Sequence, residues 1–183
     1  MLKYYFLISF TSFYIFSTAQ TSINWISWQE MISIRANDSI KKKVFIDMYT
    51  GWCGWCKRMD GTTFKDPNIV KYMNENYYNI KFDAESRDTI NFNNHQFTNS
   101  DPSFIKSNPN SRGKTHWFAH SLLDGLLSYP SYVILDENLS RLMIYKGFKD
   151  TENLSGILLF FSTDQHKFYH NYLNETWQKS LNK

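Results

Sequence analysis

Apolar residues recur along this chain in two periods, and the alternation between them predicts its elements. Trp25, Trp28, Met31 and Ile32 fall at helical spacing, giving a first amphipathic helix from about Asn24 to Ser39. Val44 to Tyr49 is a short β-rich apolar run broken by one carboxylate, Asp47, and reads as a buried strand. After the turn Thr50-Gly51-Trp52 a helix is expected to start at Cys53 and run to about Phe64, stopped by Asp66-Pro67. A short helix over Asn68 to Asn76 follows. Tyr78 to Ala84 is the second strand, with Ile80 and Phe82 alternating against Lys81 and Asp83.

From Glu85 to about Lys114 the period is lost. Asn99-Ser100-Asp101-Pro102 and Asn108-Pro109-Asn110-Ser111 mark turns, so 85–114 reads as a polar surface insertion. Thr115 to Leu127 is expected to be helical, with Phe118, Leu122 and Leu126 spaced by four. Ser131 to Asp136 and Arg141 to Lys146 form a hairpin around Glu137-Asn138-Leu139, and Gly147 closes its second strand. Thr151 to Phe161 carries one apolar stripe of Leu154, Ile157, Leu158 and Phe161. The last segment, 164–183, predicts a C-terminal helix to about Leu181 with Phe168, Tyr172 and Leu173 inward. The element order is that of an α/β protein, with neither internal repeats nor a dividing linker.

The first residues follow another logic. Lys3 is a minimal positive start, Tyr4 to Phe16 is an apolar stretch of 13 residues, and Ser17-Thr18-Ala19 supplies small side chains for peptidase cleavage. Residues 1–19 therefore read as a signal peptide and 20–183 as the mature domain. Thirteen apolar residues fall short of the roughly 20 that span a bilayer, so no permanent span is expected after cleavage. A bacterial periplasmic or secreted location fits this start, and such compartments permit disulfides.

Composition narrows the chemistry. A formal charge of +3 is too mild for a nucleic-acid partner, and Lys41-Lys42-Lys43 is expected to be a solvated run. Aromatic residues make up 18% of the chain, enough to line both core and grooves with rings. Gly113-Lys114-Thr115 is half a phosphate loop without its first glycine, since Asn108 stands there. The two cysteines, Cys53 and Cys56, are the informative pair. A helix N-terminus favours the Cys53 thiolate, and Cys56, nearly one turn on, lies near enough to attack a mixed disulfide formed at Cys53. Cys53 should also be the more accessible. Tetrahedral zinc needs about two further ligands, which His116 and His120, or His166 and His170, would supply only by folding onto the cysteine turn. No metal is expected.

At this point the residues resemble the thioredoxin superfamily. Phe45-Ile46-Asp47-Met48-Tyr49-Thr50-Gly51-Trp52-Cys53-Gly54-Trp55-Cys56-Lys57 is similar to the family's strand, buried acid and Trp-Cys-x-x-Cys-Lys helix start. Lys81 stands where the family places the partner of that acid, and Tyr129-Pro130-Ser131 is similar to the cis-proline turn. Met59-Asp60 and Thr63-Phe64 bring the likeness closer to secreted bacterial thioredoxin-like proteins. The resemblance implies an α/β thioredoxin fold, a central mixed sheet flanked by helices, with an N-terminal helix, an insertion before the cis-proline and an extra C-terminal helix. It implies Cys53 as nucleophile, Cys56 as resolving thiol, Asp47 as proton relay and Lys81 as its partner. Trp52, Trp55, Tyr129 and Pro130 would contact substrate. The redox group would be the Cys53–Cys56 disulfide with no further cofactor. The partners would be disulfide-containing proteins and a membrane electron donor.

Two departures stand out. Gly54-Trp55 lacks the histidine of isomerases and strong oxidants, which implies a more reducing couple. The stretch from Lys81 to Pro130 is longer than in a minimal thioredoxin, which should alter the substrate groove. Three function classes stay open: a thiol–disulfide oxidoreductase, a redox-quiet binding module whose insertion holds a partner, and a metal- or haem-delivery protein using the dithiol.

Overall fold

A computed structural model of the chain describes residues 21–99 and 115–181. The expected signal peptide, the second half of the insertion and Gly113-Lys114 lie outside the described residues. Five strands form the main sheet in the order β1-β3-β2-β6-β7: β1 (Trp25–Ile26), β2 (Lys43–Tyr49), β3 (Tyr77–Asp83), β6 (Ser131–Leu135) and β7 (Arg141–Lys146). β3 runs parallel to β1 and β2, whereas β6 is antiparallel to both β2 and β7. The central strand β2 is covered on both faces, which explains its nearly unbroken apolar run.

Alternation along β2 sorts the core into two halves. Val44, Ile46 and Met48 face a cluster that includes Trp28, Met31, Ile80, Phe118 and Val133. Phe45 faces the other, with Met59, Phe64, Ile69, Tyr132 and Phe161. Helix α1 (Trp28–Asn37) belongs to the first half, and α2 (Gly54–Gly61), α3 (Pro67–Asn76) and α5 (Thr151–Ser162) to the second. Asp47 shares its side of β2 with Phe45, so it is aimed at α2.

The structure corrects several expected boundaries. Trp25 does not lie on a helix: it pairs with Asn79 in β1, and its ring packs edge-on to Phe64. α1 starts only at Trp28, where Ser27 and Glu30 form a reciprocal capping box, and Ile32 remains exposed. The helix after Cys53 ends at Gly61 and continues as a 3-10 turn over Thr63–Lys65. Helix α4 (Trp117–Leu122) is shorter than its apolar spacing predicts. Asp124 and Gly125 take left-handed conformations there, and the Gly125 N–H bonds the His120 carbonyl, which ends the helix and leaves Leu126 outside.

The insertion is more than a polar surface loop in its first half. β4 (Ile90–Phe92) and β5 (His95–Phe97) form a hairpin whose Ile90 is buried and whose Phe92 and Phe97 pack against the first core half. The Trp28 indole Nε1–H donates to the Asn91 carbonyl at 3.1 Å, fastening the hairpin to α1. The lysine run is not a solvated patch either. Lys43 is buried as the first residue of β2, and its ammonium meets Glu137 at 2.5 Å and Asp164 at 2.7 Å. Lys41 and Lys42 donate to backbone carbonyls.

Helix α6 (Gln165–Leu181) has no buried residue. Phe168, Tyr172 and Leu173, expected to point inward, are exposed because the second core half is already closed by α5.

Candidate active site

β2 ends where the reactive turn begins. Cys53 adopts an extended conformation as the cap of α2, its N–H donating to the Thr50 carbonyl and its sulfur accepting from the Cys56 N–H at 3.0 Å. Cys53 and Cys56 are joined in a disulfide with an S–S distance of 2.06 Å. In this oxidised form both cysteines are 3% exposed, whereas the expected greater accessibility of Cys53 concerns the reduced protein. The exposure is carried by the indoles on either side of Cys53, Trp52 at 67% and Trp55 at 55%.

Strand register brings the buried acid to its neighbours. Asp47 pairs with Lys81 across β3 and with Tyr132 across β6, which puts all three side chains on the α2 side of the sheet. The Lys81 ammonium is 3.5 Å from Asp47 Oδ2. It is closer still to Asp60 Oδ1. Asp47 Oδ1 and the Tyr132 hydroxyl have no hydrogen-bond partner. Burial pushes the Asp47 carboxyl up to about 7; Lys81 opposes that rise and Asp60 adds to it. Asp60, part of the Met59-Asp60 likeness, is thereby also a site residue. The signal was its spacing: four residues after Cys56 on the same helix, it lies on the face that α2 turns towards Asp47.

The opposite wall is the Tyr129–Pro130 turn, whose peptide bond is cis. Ser131 pairs with Met48, so Pro130 comes level with the end of β2. The Pro130 carbonyl accepts from the Gly147 N–H at 2.8 Å. Tyr129 meets Trp52 edge-on with ring centroids 6.0 Å apart, and the Trp52 indole donates to Glu85 Oε1 at 3.2 Å. The insertion thus touches the site through its first residue. On the other flank Trp55 lies 5.7 Å from Phe148, and the Arg58 guanidinium covers both rings. Glu85, Arg58 and Phe148 were missed because their proximity to the cysteines follows from strand ends and loop returns, not from spacing.

Among the described residues no group of three or more His, Cys, Asp or Glu side chains is arranged to hold a metal ion. His116 is wholly buried and engaged at both ring nitrogens: Nδ1 accepts from the Phe118 N–H, which leaves Nε2–H to donate to the Asp88 carbonyl. Burial lowers its pKa, keeping it neutral. Its work is to tie the insertion to α4.

A central mixed sheet, a cysteine pair joined at the start of the first helix after the central strand and a cis-proline turn facing that helix define a member of the thioredoxin superfamily. More narrowly, the chain belongs to the family described as Thioredox_DsbH, protein of unknown function, DUF255, which matches residues 5–101. The chain is 29% identical over 77 residues to the uncharacterized protein B0495.5 of Caenorhabditis elegans, covering 42% of this chain and 10% of that one. It is 26% identical over 84 residues to spermatogenesis-associated protein 20 of Rattus norvegicus, covering 46% of this chain and 10% of the relative. The chain therefore spans about a tenth of the length of these curated relatives. A thioredoxin-fold protein from Helicobacter pylori superposes with a TM-score of 0.50 at 11% identity, covering 69% of this chain and 73% of that one. No helix among the described residues is long and apolar enough to cross a membrane.

Proposed function

We propose that this protein is a thiol–disulfide oxidoreductase that reduces or isomerises disulfides of proteins outside the cytoplasm. The observation that carries the reading is the Cys53–Cys56 disulfide at the start of α2 with a buried carboxylate, Asp47, on the strand behind it. In the reduced protein the Cys53 thiolate attacks a substrate disulfide, forming a mixed disulfide and expelling the first substrate thiolate. Cys56 then gives its proton to Asp47 and attacks the Cys53 sulfur. The second substrate thiolate leaves, two electrons have passed to the substrate, and the Cys53–Cys56 disulfide is regenerated. Return to the dithiol requires an external thiol reductant, which we assign to a membrane electron donor.

With Gly54-Trp55 between the cysteines and no histidine, the potential is expected nearer the roughly −270 mV of thioredoxin than the roughly −120 mV of a strong oxidant. The apolar stretch Tyr4 to Phe16 followed by Ser17-Thr18-Ala19 supports a periplasmic or secreted location. N-terminal sequencing of the exported protein should begin at Gln20. The deciding assay is dithiothreitol-driven insulin reduction beside Cys53→Ser. Turbidity rising faster with the wild-type protein is expected, and equal rates would leave a redox-quiet binding module.

A further inference from the structure

Arg58 stands three residues after Trp55 on α2, so the two side chains share an exposed face of the helix beside the disulfide. Its guanidinium carbon lies 5.3 Å from the ring centroids of both Trp55 and Phe148. Phe148 is held there from the far side, since Gly147 just before it is bonded to the Pro130 carbonyl. A guanidinium spread over two rings keeps its planar fork pre-organised while its N–H edge stays open.

That edge has no anion of its own among the described residues, although two carboxylates border the same groove of about 500 Å3. Asp66 Oδ1 is committed to the N–H groups of Asn68 and Ile69, capping α3. Asp150 Oδ1 is committed to the Asn153 N–H, capping α5. Lys65 lines the groove as well, so two cations and two carboxylates share it, and Arg58 is the cation seated on the rings beside the disulfide with no ion pair among the described residues. The opposite flank of the disulfide carries the other sign. Glu85 is bonded to Trp52, and Glu85 and Asp83 add to the burial that pushes the Tyr129 phenol up to about 12.

We propose that Trp55, Arg58 and Phe148 form a specificity subsite that accepts a carboxylate side chain next to the half-cystine of a protein substrate. The subsite rests on the oxidoreductase reading for its substrate, not for its charge preference. An aspartate or glutamate on this flank gains a charge-assisted, two-pronged contact with Arg58. On the Glu85 flank the same side chain is repelled, so the site distinguishes the two directions in which an acidic segment can lie across the disulfide.

The test uses three disulfide peptides that differ only in carrying Glu, Gln or Lys beside the half-cystine. Reduced wild-type protein should reduce the Glu peptide roughly three- to fivefold faster than the Gln peptide, and the Lys peptide more slowly, with the spread narrowing as salt is added. Arg58→Gln should bring the Glu-to-Gln ratio to about one, and Arg58→Glu should invert the order of Glu and Lys. An unchanged ratio in either folded variant overturns the proposal. Peptides with Ser for Cys, titrated against the oxidised protein by tryptophan fluorescence, read the subsite without exchange. Equal affinities for the Glu and Gln forms would also overturn it. If no peptide is reduced faster than by Cys53→Ser, the oxidoreductase reading falls while this binding ratio still decides the subsite.

Discussion

Lys81 stands between two carboxylates and belongs more to the outer one: its ammonium is 3.5 Å from Asp47 Oδ2 and nearer to Asp60 Oδ1. The cation that would hold the buried acid ionised is thereby shared, and Asp47 keeps one oxygen without any partner. Burial and the second negative charge of Asp60 raise the Asp47 pKa, and the shared Lys81 cation opposes them only in part. Tyr49 and Tyr132, the remaining titratable neighbours on the sheet, are held protonated by burial.

Asp60→Asn should therefore return Lys81 to Asp47 and lower the pKa of the buried acid. If Asp47 takes the Cys56 proton, the pH at which the mixed disulfide resolves at half its maximal rate should fall. Stopped-flow pH profiles of wild type and variant check this, and superimposable profiles would remove Asp60 from the tuning of Asp47.

Asp47 itself predicts a stability that depends on pH with a definite sign. Its folded pKa of about 7 lies above its ordinary value of 3.8, so the native state holds the extra proton between them. The stabilisation is fully present below the ordinary value and is lost as pH rises through about 7. Asp47→Asn should thus melt higher than wild type above pH 7, by on the order of 4 kcal/mol at the alkaline end, with the gap closing towards pH 4. Glu137 and Asp164, held below the usual carboxylate range by Lys43, act in the opposite sense and cancel in the comparison. A variant less stable than wild type at pH 8 that still resolves its mixed disulfide normally would make Asp47 a structural residue.

In the reduced protein, iodoacetamide near neutral pH should label Cys53 roughly tenfold faster than Cys56. Both cysteines are equally buried in the disulfide form, so the difference rests on the helix N-terminus, which stabilises the Cys53 thiolate, while Cys56 lies buried inside the first turn. Peptide mapping by mass spectrometry reads the ratio, and equal labelling would contradict it.

Trp28→Ala should cost about 3–5 kcal/mol, because the indole is buried between Phe92 and Phe118 and bonds the Asn91 carbonyl. The β4–β5 hairpin should loosen first. Hydrogen exchange should report faster exchange at Ile90–Phe97 than at β2 in the variant, and uniform acceleration would show that the hairpin is not a separate layer.

Local chemistry was enough for the parts of this protein that depend on neighbours in the chain. The run Val44 to Tyr49, the turn after it, the helix capped by Cys53 and the stripe Leu154, Leu158, Phe161 are readable because burial on one face imposes a period and a cap imposes a residue type. Asp47, Lys81, Cys53, Cys56 and Pro130 were placed by their resemblance to the superfamily's pattern, which fixes their order along the chain. Contacts between elements were decided only by tertiary structure. Trp25 left its helical period for a strand because a parallel ladder along β3 was free to take it. Phe168, Tyr172 and Leu173 kept theirs yet stayed outside, since α5 had already covered the core they would have entered. Asp60 at Lys81, Glu85 at Trp52 and Arg58 over Phe148 join residues from different elements. Strand register and loop return set those distances, and neither leaves a trace in the spacing of one chain.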